Sequence, residues 1–177
     1  MLCVRLKQTF KKDITSEMNS KIIEIYKNCS FRITNVRLEI ERKEYDGCIF
    51  KLNDLSIISR KAKITPKKVG QFVTFWKRNK SGIIEPFQEN DTIDFYVVNV
   101  KSNYLFGQFV FPKSVLISQG IISTESKEGK RAFRVYPIWD IPESKQAKQT
   151  QKWQLNYFYK INDSTDLNRV MKLYGYC

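Results

Sequence analysis

The spacing of apolar residues along the chain changes from a helical period to a period of two and back again. Near the amino end, Met18, Ile22 and Ile25 recur at helical spacing, which predicts an amphipathic helix. In the middle, Val36 and Leu38 alternate with charged residues, as in a half-buried strand. The predicted helices cover residues 16–28, 113–119, 144–159 and 165–174, and the predicted strands cover short runs within 31–64 (including 48–52 and 55–64), 71–78, 93–100, 107–111 and 131–136.

This order of elements predicts the fold class. Strands dominate the middle of the chain and helices its ends, which is typical of an α+β protein. The 177 residues fit a single domain with one core, and we see no internal repeat or linker. No stretch has the length and apolar character of a membrane span, and the amino-terminal residues lack a secretory signal. We therefore expect a cytoplasmic protein with no membrane partner.

The composition excludes several kinds of chemistry. The chain has no histidine, so it lacks the commonest general base at neutral pH and any nucleophile-histidine pair. Its four cysteines, at positions 3, 29, 48 and 177, form no C-x-x-C pair. We expect Cys29 and Cys48 to be small core residues, and we expect no metal and no cofactor.

The net charge of +13 favours a polyanionic partner. The basic residues form three clusters: one between 60 and 80 that contains no acid, one along a face of the helix predicted at 144–159, and one at 127–134 that is diluted by Glu125 and Glu128. The alternative for the first cluster is a solvated sheet edge whose lysines prevent aggregation. The predicted nucleic-acid-binding residues are Arg60, Lys61, Lys63, Lys67, Lys68, Trp76, Lys77, Arg78, Lys130, Arg131, Arg134, Lys145, Lys148 and Lys152.

One of these residues bears on the kind of nucleic acid. Trp76 lies on the same predicted strand face as Arg78, and we expect its ring to be partly exposed. Unstacked bases can lie on such a ring, whereas a duplex keeps its bases stacked inside. The sequence therefore predicts binding of RNA and single-stranded DNA, with weaker binding of double-stranded DNA.

Five ordered motifs resemble those of the MepB family of small bacterial proteins. They are AKITPKKVGQFVTFWKRN (62–79), PFQENDTIDF (86–95), GQFVFPKSVLISQGIIS (107–123), GKRAFRVYPIWD (129–140) and KQAKQTQKWQLNYF (145–158). The resemblance covers about residues 16–175 of a single domain, and the first fifteen residues lie outside it. It implies a cytosolic protein, encoded in some bacteria beside a multidrug-efflux transporter. It also implies a mixed sheet flanked by helices, similar to the PD-(D/E)XK endonuclease-like core.

That implied fold raises the hypothesis of a nuclease. Such enzymes need an acid on one strand and E-x-K or Q-x-K on its neighbour, so that carboxylates hold a metal and the lysine activates water. The natural placement here is Asp94 on one strand and Gln108 on the next, which leaves Val110 where the lysine should be. We therefore expect a degenerate, inactive site. The candidates for an acid that replaces the missing ligand are Glu39, Glu85 and Asp91.

The sequence as a whole favours a non-catalytic nucleic-acid-binding protein with little sequence specificity. Its basic residues are scattered over several elements and do not line one recognition helix. Two alternatives stay open. One is a metal-dependent nuclease whose active site has migrated, and the other is a protein-interaction module whose basic surface only keeps it soluble.

Overall fold

The computed structural model describes residues 20–176, apart from the side chains of residues 40, 42 and 43. Its helices are α1 (Ser20–Asn28), α2 (Lys113–Ser118), α3 (Lys145–Gln154) and α4 (Leu167–Leu173). Its strands are β1 (Ile33–Leu38), β2 (Cys48–Leu52), β3 (Leu55–Lys61), β4 (Lys63–Thr65), β5 (Lys68–Thr74), β6 (Trp76–Arg78), β7 (Ile84–Pro86), β8 (Phe95–Ser102), β9 (Leu105–Pro112), β10 (Ala132–Val135) and β11 (Phe158–Lys160). Two 3-10 helices, Ile40–Tyr45 and Leu155–Tyr157, complete the described elements.

The strands form a central sheet, a smaller outer sheet and a separate two-stranded sheet of β6 and β7. The central sheet has the order β1-β2-β3-β8-β9-β11, and the outer sheet has the order β10-β5-β4. Strands β3 and β8 are parallel, while the other pairs of the central sheet are antiparallel. The sheet is therefore mixed, and the predicted α+β class is confirmed.

Both faces of the central sheet are covered, and each cover builds its own core. On one face, α1 and α4 contribute Ile22, Tyr26 and Val170, which pack on Phe50 and Leu52. On the other face, the outer sheet and α2 enclose a second cluster. Burial on both faces explains why these strands contain long apolar runs instead of a clean alternation. The second cluster includes Ile58, Val73, Phe75, Val98, Phe109, Phe111, Leu116, Phe133 and Val135.

Several predicted boundaries are wrong, each for a tertiary reason. The predicted strand 55–64 divides at Ala62, where the chain leaves the central sheet and enters the outer one. The helix predicted to end near residue 159 ends at Gln154, because Phe158 pairs with Phe109 as part of β11. The predicted start of the first helix at 16–19 lies outside the described residues. Cys29 and Cys48 are buried core residues, as predicted.

Arg60 joins the central sheet and the outer sheet from a buried position. It lies on β3 with 3% of its surface exposed, and its guanidinium makes a bidentate contact with Glu39 at 2.8 and 3.0 Å. It also donates to the carbonyl oxygens of Thr74 at 2.7 Å and Trp76 at 2.9 Å. One cation thus connects the central sheet to the ends of β5 and β6 and to the start of the 3-10 helix at 40–45.

None of the helices within residues 20–176 combines the length and the apolar character that crossing a membrane requires.

We predict that Arg60→Met lowers the free energy of unfolding by about 3–5 kcal/mol, because it removes a buried cation and its four hydrogen bonds to Glu39, Thr74 and Trp76. Urea unfolding followed by circular dichroism measures the loss. The control is Lys61→Met at the next residue, whose half-exposed ion pair with Asp46 contributes about 1 kcal/mol at most. Equal losses in the two variants would contradict the role given to Arg60.

Candidate nucleic-acid interface

Asp94 and Gln108, predicted to mark a degenerate catalytic site, lie far apart on neighbouring strands. Gln108 lies opposite Asn99 in the antiparallel β8–β9 pair. Asp94 is five residues before Asn99, which corresponds to roughly 17 Å along the strand. Its carboxylate accepts a hydrogen bond from the backbone N–H of Ser56 at 2.7 Å. The predicted placement is therefore wrong, and Asp94 fixes the start of its strand.

Gln108 belongs to a buried polar network instead. Its side-chain oxygen accepts hydrogen bonds from the hydroxyls of Tyr26 at 2.9 Å and Tyr159 at 2.6 Å, and its amide donates to Asn99 at 2.7 Å. Tyr174 contacts the Tyr26 hydroxyl at 2.6 Å. Burial raises the pKa of all three tyrosines, so their hydroxyls stay protonated at neutral pH. Gln108 thus connects the central sheet to α1 and α4.

The other residues of the expected nuclease pattern are buried or form ion pairs with basic side chains. Val110 is fully buried in the core beneath α1 and α4. Glu85 and Asp91 both contact the amino group of Lys77, and Glu39 pairs with Arg60. Within residues 20–176, no group of three or more cysteine, aspartate or glutamate side chains is close enough to hold a metal ion.

An acid does face a lysine across β2 and β3, at a position that sequence reasoning missed. Asp46 forms an ion pair with Lys61 at 3.3 Å. Ser59, two residues before Lys61, occupies the position where the nuclease pattern needs a carboxylate, and its hydroxyl accepts a hydrogen bond from Asn99 at 3.0 Å. The signal was present in the predicted turn at residues 53 and 54, because a hairpin closed there pairs position 46 with position 61.

The basic run between residues 60 and 80 is largely neutralised by acids from elsewhere in the chain. Four of these acids lie in the segment 39–46, which the sequence pattern assigned in part to a strand. Arg60 is buried, so it does not lie on the predicted binding surface. Trp76 is half-buried, with the Arg78 guanidinium 5.6 Å from its ring centre. The ion pairs are Arg60–Glu39, Lys61–Asp46, Lys63–Glu44, Lys77–Glu85, Lys77–Asp91 and Arg78–Glu41.

Three lysines of this run, Lys67, Lys68 and Lys80, remain without an acidic partner among the described residues, and Lys80 lies exposed in the turn after β6. Lys67 and Lys68 lie exposed at the tip of the β4–β5 hairpin, next to the exposed Pro66. Ile64 and Val69 flank the tip and are 62% and 46% exposed. The hairpin therefore presents two free cations beside apolar side chains.

A row of side chains crosses the outer sheet below this tip. Phe72 lies between Lys63 on β4 and Arg134 on β10, each directly opposite it in its strand pair. Directly opposed residues share a face of a sheet, and the alternate residues Val73 and Phe133 are buried, so the row faces outward. Phe72 is half-buried, and the Arg134 guanidinium lies 5.9 Å from its ring centre. We call Lys63, Lys67, Lys68, Phe72 and Arg134 the basic face.

The two cations of the row are held differently. Arg134 donates to the Gly70 carbonyl at 2.9 Å and to the Thr65 hydroxyl at 2.8 Å, which fixes its guanidinium over the sheet. Lys63 contacts Glu44 at 2.6 Å, and this hydrogen bond raises the pKa of Lys63. Arg134 thus keeps its charge without a carboxylate partner in the described part of the chain.

A cleft of about 290 Å³ adjoins the basic face, between β10 and α3. Arg134 lines it together with Lys130, and two of its aromatic side chains, Tyr136 and Trp153, are half-buried. No aspartate or glutamate is among its lining residues. The remaining lining residues are Gln119, Ile121, Ala132, Phe133, Ser144, Gln146, Ala147, Thr150 and Gln154.

Gln154 holds the two walls of the cleft together. Its side chain is fully buried, accepts a hydrogen bond from the backbone N–H of Tyr136 at 2.8 Å and donates to the carbonyl of Arg134 at 2.9 Å. One amide thereby satisfies the free edge of β10 as a neighbouring strand would. The position of α3 against the outer sheet follows from this contact.

The lysines of α3 point away from the cleft. At about 100° per residue, Lys145, Lys148 and Lys152 lie roughly on the opposite side of the helix from Ala147 and Thr150. All three are exposed. The structure therefore brings Lys63, Lys67, Lys68, Lys130 and Arg134 to one surface, and it leaves the helix lysines outside that surface. Arg131 is also separate, in an ion pair with Glu128 at 2.8 Å.

Comparison with known proteins identifies the family. A family model described as MepB-like matches residues 39–160, which include the basic face and the cleft. A crystal structure of MepB is similar to the chain with a TM-score of 0.73 and 35% sequence identity, over 82% of this chain and 99% of that one. The chain belongs to the MepB-like family. The predicted family membership of this MepB-like chain is thus confirmed.

Other comparisons add little to this assignment. A bacterial homing endonuclease, I-Ssp6803I, is similar to this MepB-like chain with a TM-score of 0.42 and 18% identity, over 76% of this chain and 84% of that one. A likeness this distant supports no conclusion about activity. No curated protein matches the chain.

We predict that Gln108→Met lowers the free energy of unfolding by about 2–4 kcal/mol, because two buried tyrosine hydroxyls and an asparagine lose a partner. Urea unfolding measures this loss, with Gln149→Met at an exposed position of α3 as the control. A loss no larger than that of the control would show that the buried network contributes little to stability.

Proposed function

We propose that this protein binds single-stranded nucleic acid in the cytoplasm, preferring RNA and single-stranded DNA to duplex DNA, through the basic face and the adjoining cleft. The observation that carries the proposal is the meeting of free cations and half-buried rings on one surface. Lys67, Lys68 and Lys130 are exposed and have no acidic partner among the described residues, while Phe72, Tyr136 and Trp153 are half-buried beside them.

Phosphate contact supplies most of the expected affinity. A nucleic-acid strand that lies on the basic face and the cleft contacts five cations. One of them, Lys63, also forms an ion pair with Glu44. For single strands, the logarithm of the binding constant falls linearly with the logarithm of the salt concentration, with a slope of about −0.7 per phosphate contact. Four or five contacts therefore give a salt slope of about −3. The cations come from two separate segments, 63–68 and 130–134, and from no single recognition helix, which favours binding with little sequence specificity.

The preference for single strands rests on the rings. Phe72, Tyr136 and Trp153 offer faces or edges on which unpaired bases can stack, and each stacked base contributes about 1–3 kcal/mol. A duplex keeps its bases inside and would reach only the lysines. The link to a drug-response operon that the family resemblance implies would then depend on which transcript or strand is bound.

We also propose that the protein is not a nuclease. Phosphoryl transfer by metal ions needs at least two well-placed acidic ligands. The Asp94 carboxylate accepts a hydrogen bond from the backbone N–H of Ser56. Glu85 and Asp91 form ion pairs with Lys77, and Glu39 forms one with Arg60. Asp46 is paired with Lys61, and Ser59 provides no second carboxylate beside them.

We predict that replacing Lys67, Lys68 and Lys130 together by alanine weakens binding of a labelled single-stranded oligonucleotide by about tenfold or more at low salt, and reduces the salt slope by about 2. Fluorescence anisotropy with poly-U, poly-dT and a duplex of equal length measures both quantities. The thermal midpoint should stay nearly unchanged, because exposed lysines contribute little to folding.

The matched control replaces Lys145, Lys148 and Lys152 by alanine, which removes the same charge from the far side of α3. It should reduce affinity far less than the first variant. Equal effects of the two variants would mean that affinity follows net charge alone. Absence of salt-dependent binding in the wild type would favour the protein-interaction module.

We predict no cleavage of labelled RNA or DNA in the presence of magnesium or manganese. Denaturing gels after long incubation provide the measurement, and Asp46→Ala and Asp94→Ala are compared with the wild type. Cleavage that disappears in either variant would establish a nuclease with a migrated site. Cleavage that persists in both would also contradict the prediction unless it persists with Glu85 and Asp91 replaced by alanine, which would identify a contaminating enzyme.

A further inference from the structure

We propose that the cleft between β10 and α3 is a subsite for a single nucleotide unit, with the phosphate held by Lys130 and Arg134 and the base held against Trp153 and Tyr136. The inference rests on the proposed function, because a subsite of this kind serves a protein that binds strands. If the cleft is such a subsite, the protein also binds free nucleoside monophosphates.

The space for this unit comes from small residues on both walls. Ala132 faces the cleft from β10 and Ala147 faces it from α3. The resulting volume, about 290 Å³, lies at the lower end of the range for small-molecule sites. It suits one base with its sugar and phosphate, and a base pair is too large for it.

The cations of the cleft have unused capacity for a phosphate. Lys130 is exposed and has no acidic partner among residues 20–176. Arg134 has five N–H donors, and its bonds to Gly70, Thr65 and Lys68 leave some of them free. Because the cleft has no acidic lining residue, a bound phosphate meets attraction without like-charge repulsion.

The rings are fixed before any ligand enters. Trp153 packs against Phe111 with ring centres 5.5 Å apart. Tyr136 lies over Gly70, where a Cβ would come within 2.5 Å of the tyrosine ring. Both rings line the cleft, one from each wall, so a planar ligand has a rigid aromatic contact on either side.

Polar side chains complete the site around the base. Gln146 and Gln119 are exposed amides at the rim, and each can donate and accept hydrogen bonds. Thr150 donates its hydroxyl proton to the carbonyl of Gln146 and keeps its lone pairs for a donor on the ligand. Such flexible amides accommodate the edges of different bases, which agrees with weak sequence preference.

The test measures binding of UMP, CMP, AMP and GMP by calorimetry and by competition with a labelled poly-U oligonucleotide, with inorganic phosphate as the comparison. The variant Ala147→Leu fills the cleft without changing charge, and Gln149→Leu is the control on an exposed part of the same helix. We expect the mononucleotides to compete better than phosphate. We expect Ala147→Leu to weaken mononucleotide binding by about fivefold or more, the contribution of one stacked base, and Gln149→Leu to leave it nearly unchanged.

If Ala147→Leu lowers the thermal midpoint strongly, Gln146→Ala at the exposed rim replaces it in the same assay. The subsite is overturned if inorganic phosphate competes as well as the mononucleotides, or if neither variant weakens mononucleotide binding. Absence of mononucleotide binding in a protein that still binds poly-U also overturns the subsite and leaves the proposed function standing. Absence of both kinds of binding overturns the two proposals together.

Discussion

The buried guanidinium of Arg60 determines how the central sheet and the outer sheet meet. It extends from the central strand β3, and its four hydrogen bonds connect Glu39 with the carbonyl groups of Thr74 and Trp76. A cation in this position is stable only while its partners surround it, because an unpaired buried charge is costly. The outer sheet is therefore held at a defined position over the core, and the surface that it presents to solvent is defined with it.

The same pairing principle shapes the electrostatic surface. Acids of the segment 39–46 fold back onto the basic run and neutralise much of it. Lys67 and Lys68 at the hairpin tip and Lys130 beside the cleft have no acidic partner among the described residues. A net charge of +13 is thus concentrated on particular surfaces, and the distribution cannot be read from a linear count of lysines and acids. Half-buried rings adjoin one of those surfaces, which distinguishes it from the lysine-covered side of α3.

The sequence predicted elements whose pattern is local. The strands around Val97 and Phe109 follow from continuous apolar runs, and the amphipathic spacing of Ile22 and Ile25 predicts α1. Family membership could be predicted from five motifs, since these preserve residue order over most of the chain. The break between β3 and β4 at Ala62 could not be predicted, because the passage of the chain from one sheet to another does not change the period of its apolar residues.

The candidate site was predicted only in part, and the errors have physical causes. Lys67, Lys68, Lys130 and Arg134 were among the predicted binding residues and lie on one surface. Arg60 was predicted among them because a linear sequence does not reveal that Glu39 would bury it. The cleft itself was missed, since it depends on Gln154 contacting the edge of β10 and on alanines that face each other from distant segments.

Photochemical cross-linking tests the central claim most directly, namely that single strands lie on the outer sheet and in the cleft. A poly-U oligonucleotide containing 4-thiouridine would be irradiated with the wild-type protein, and the cross-linked peptides would be identified by mass spectrometry. The account predicts cross-links in residues 63–72, 130–136 and 146–154. Cross-links confined to other surfaces, such as residues 76–91 or the far side of the central sheet, would contradict it.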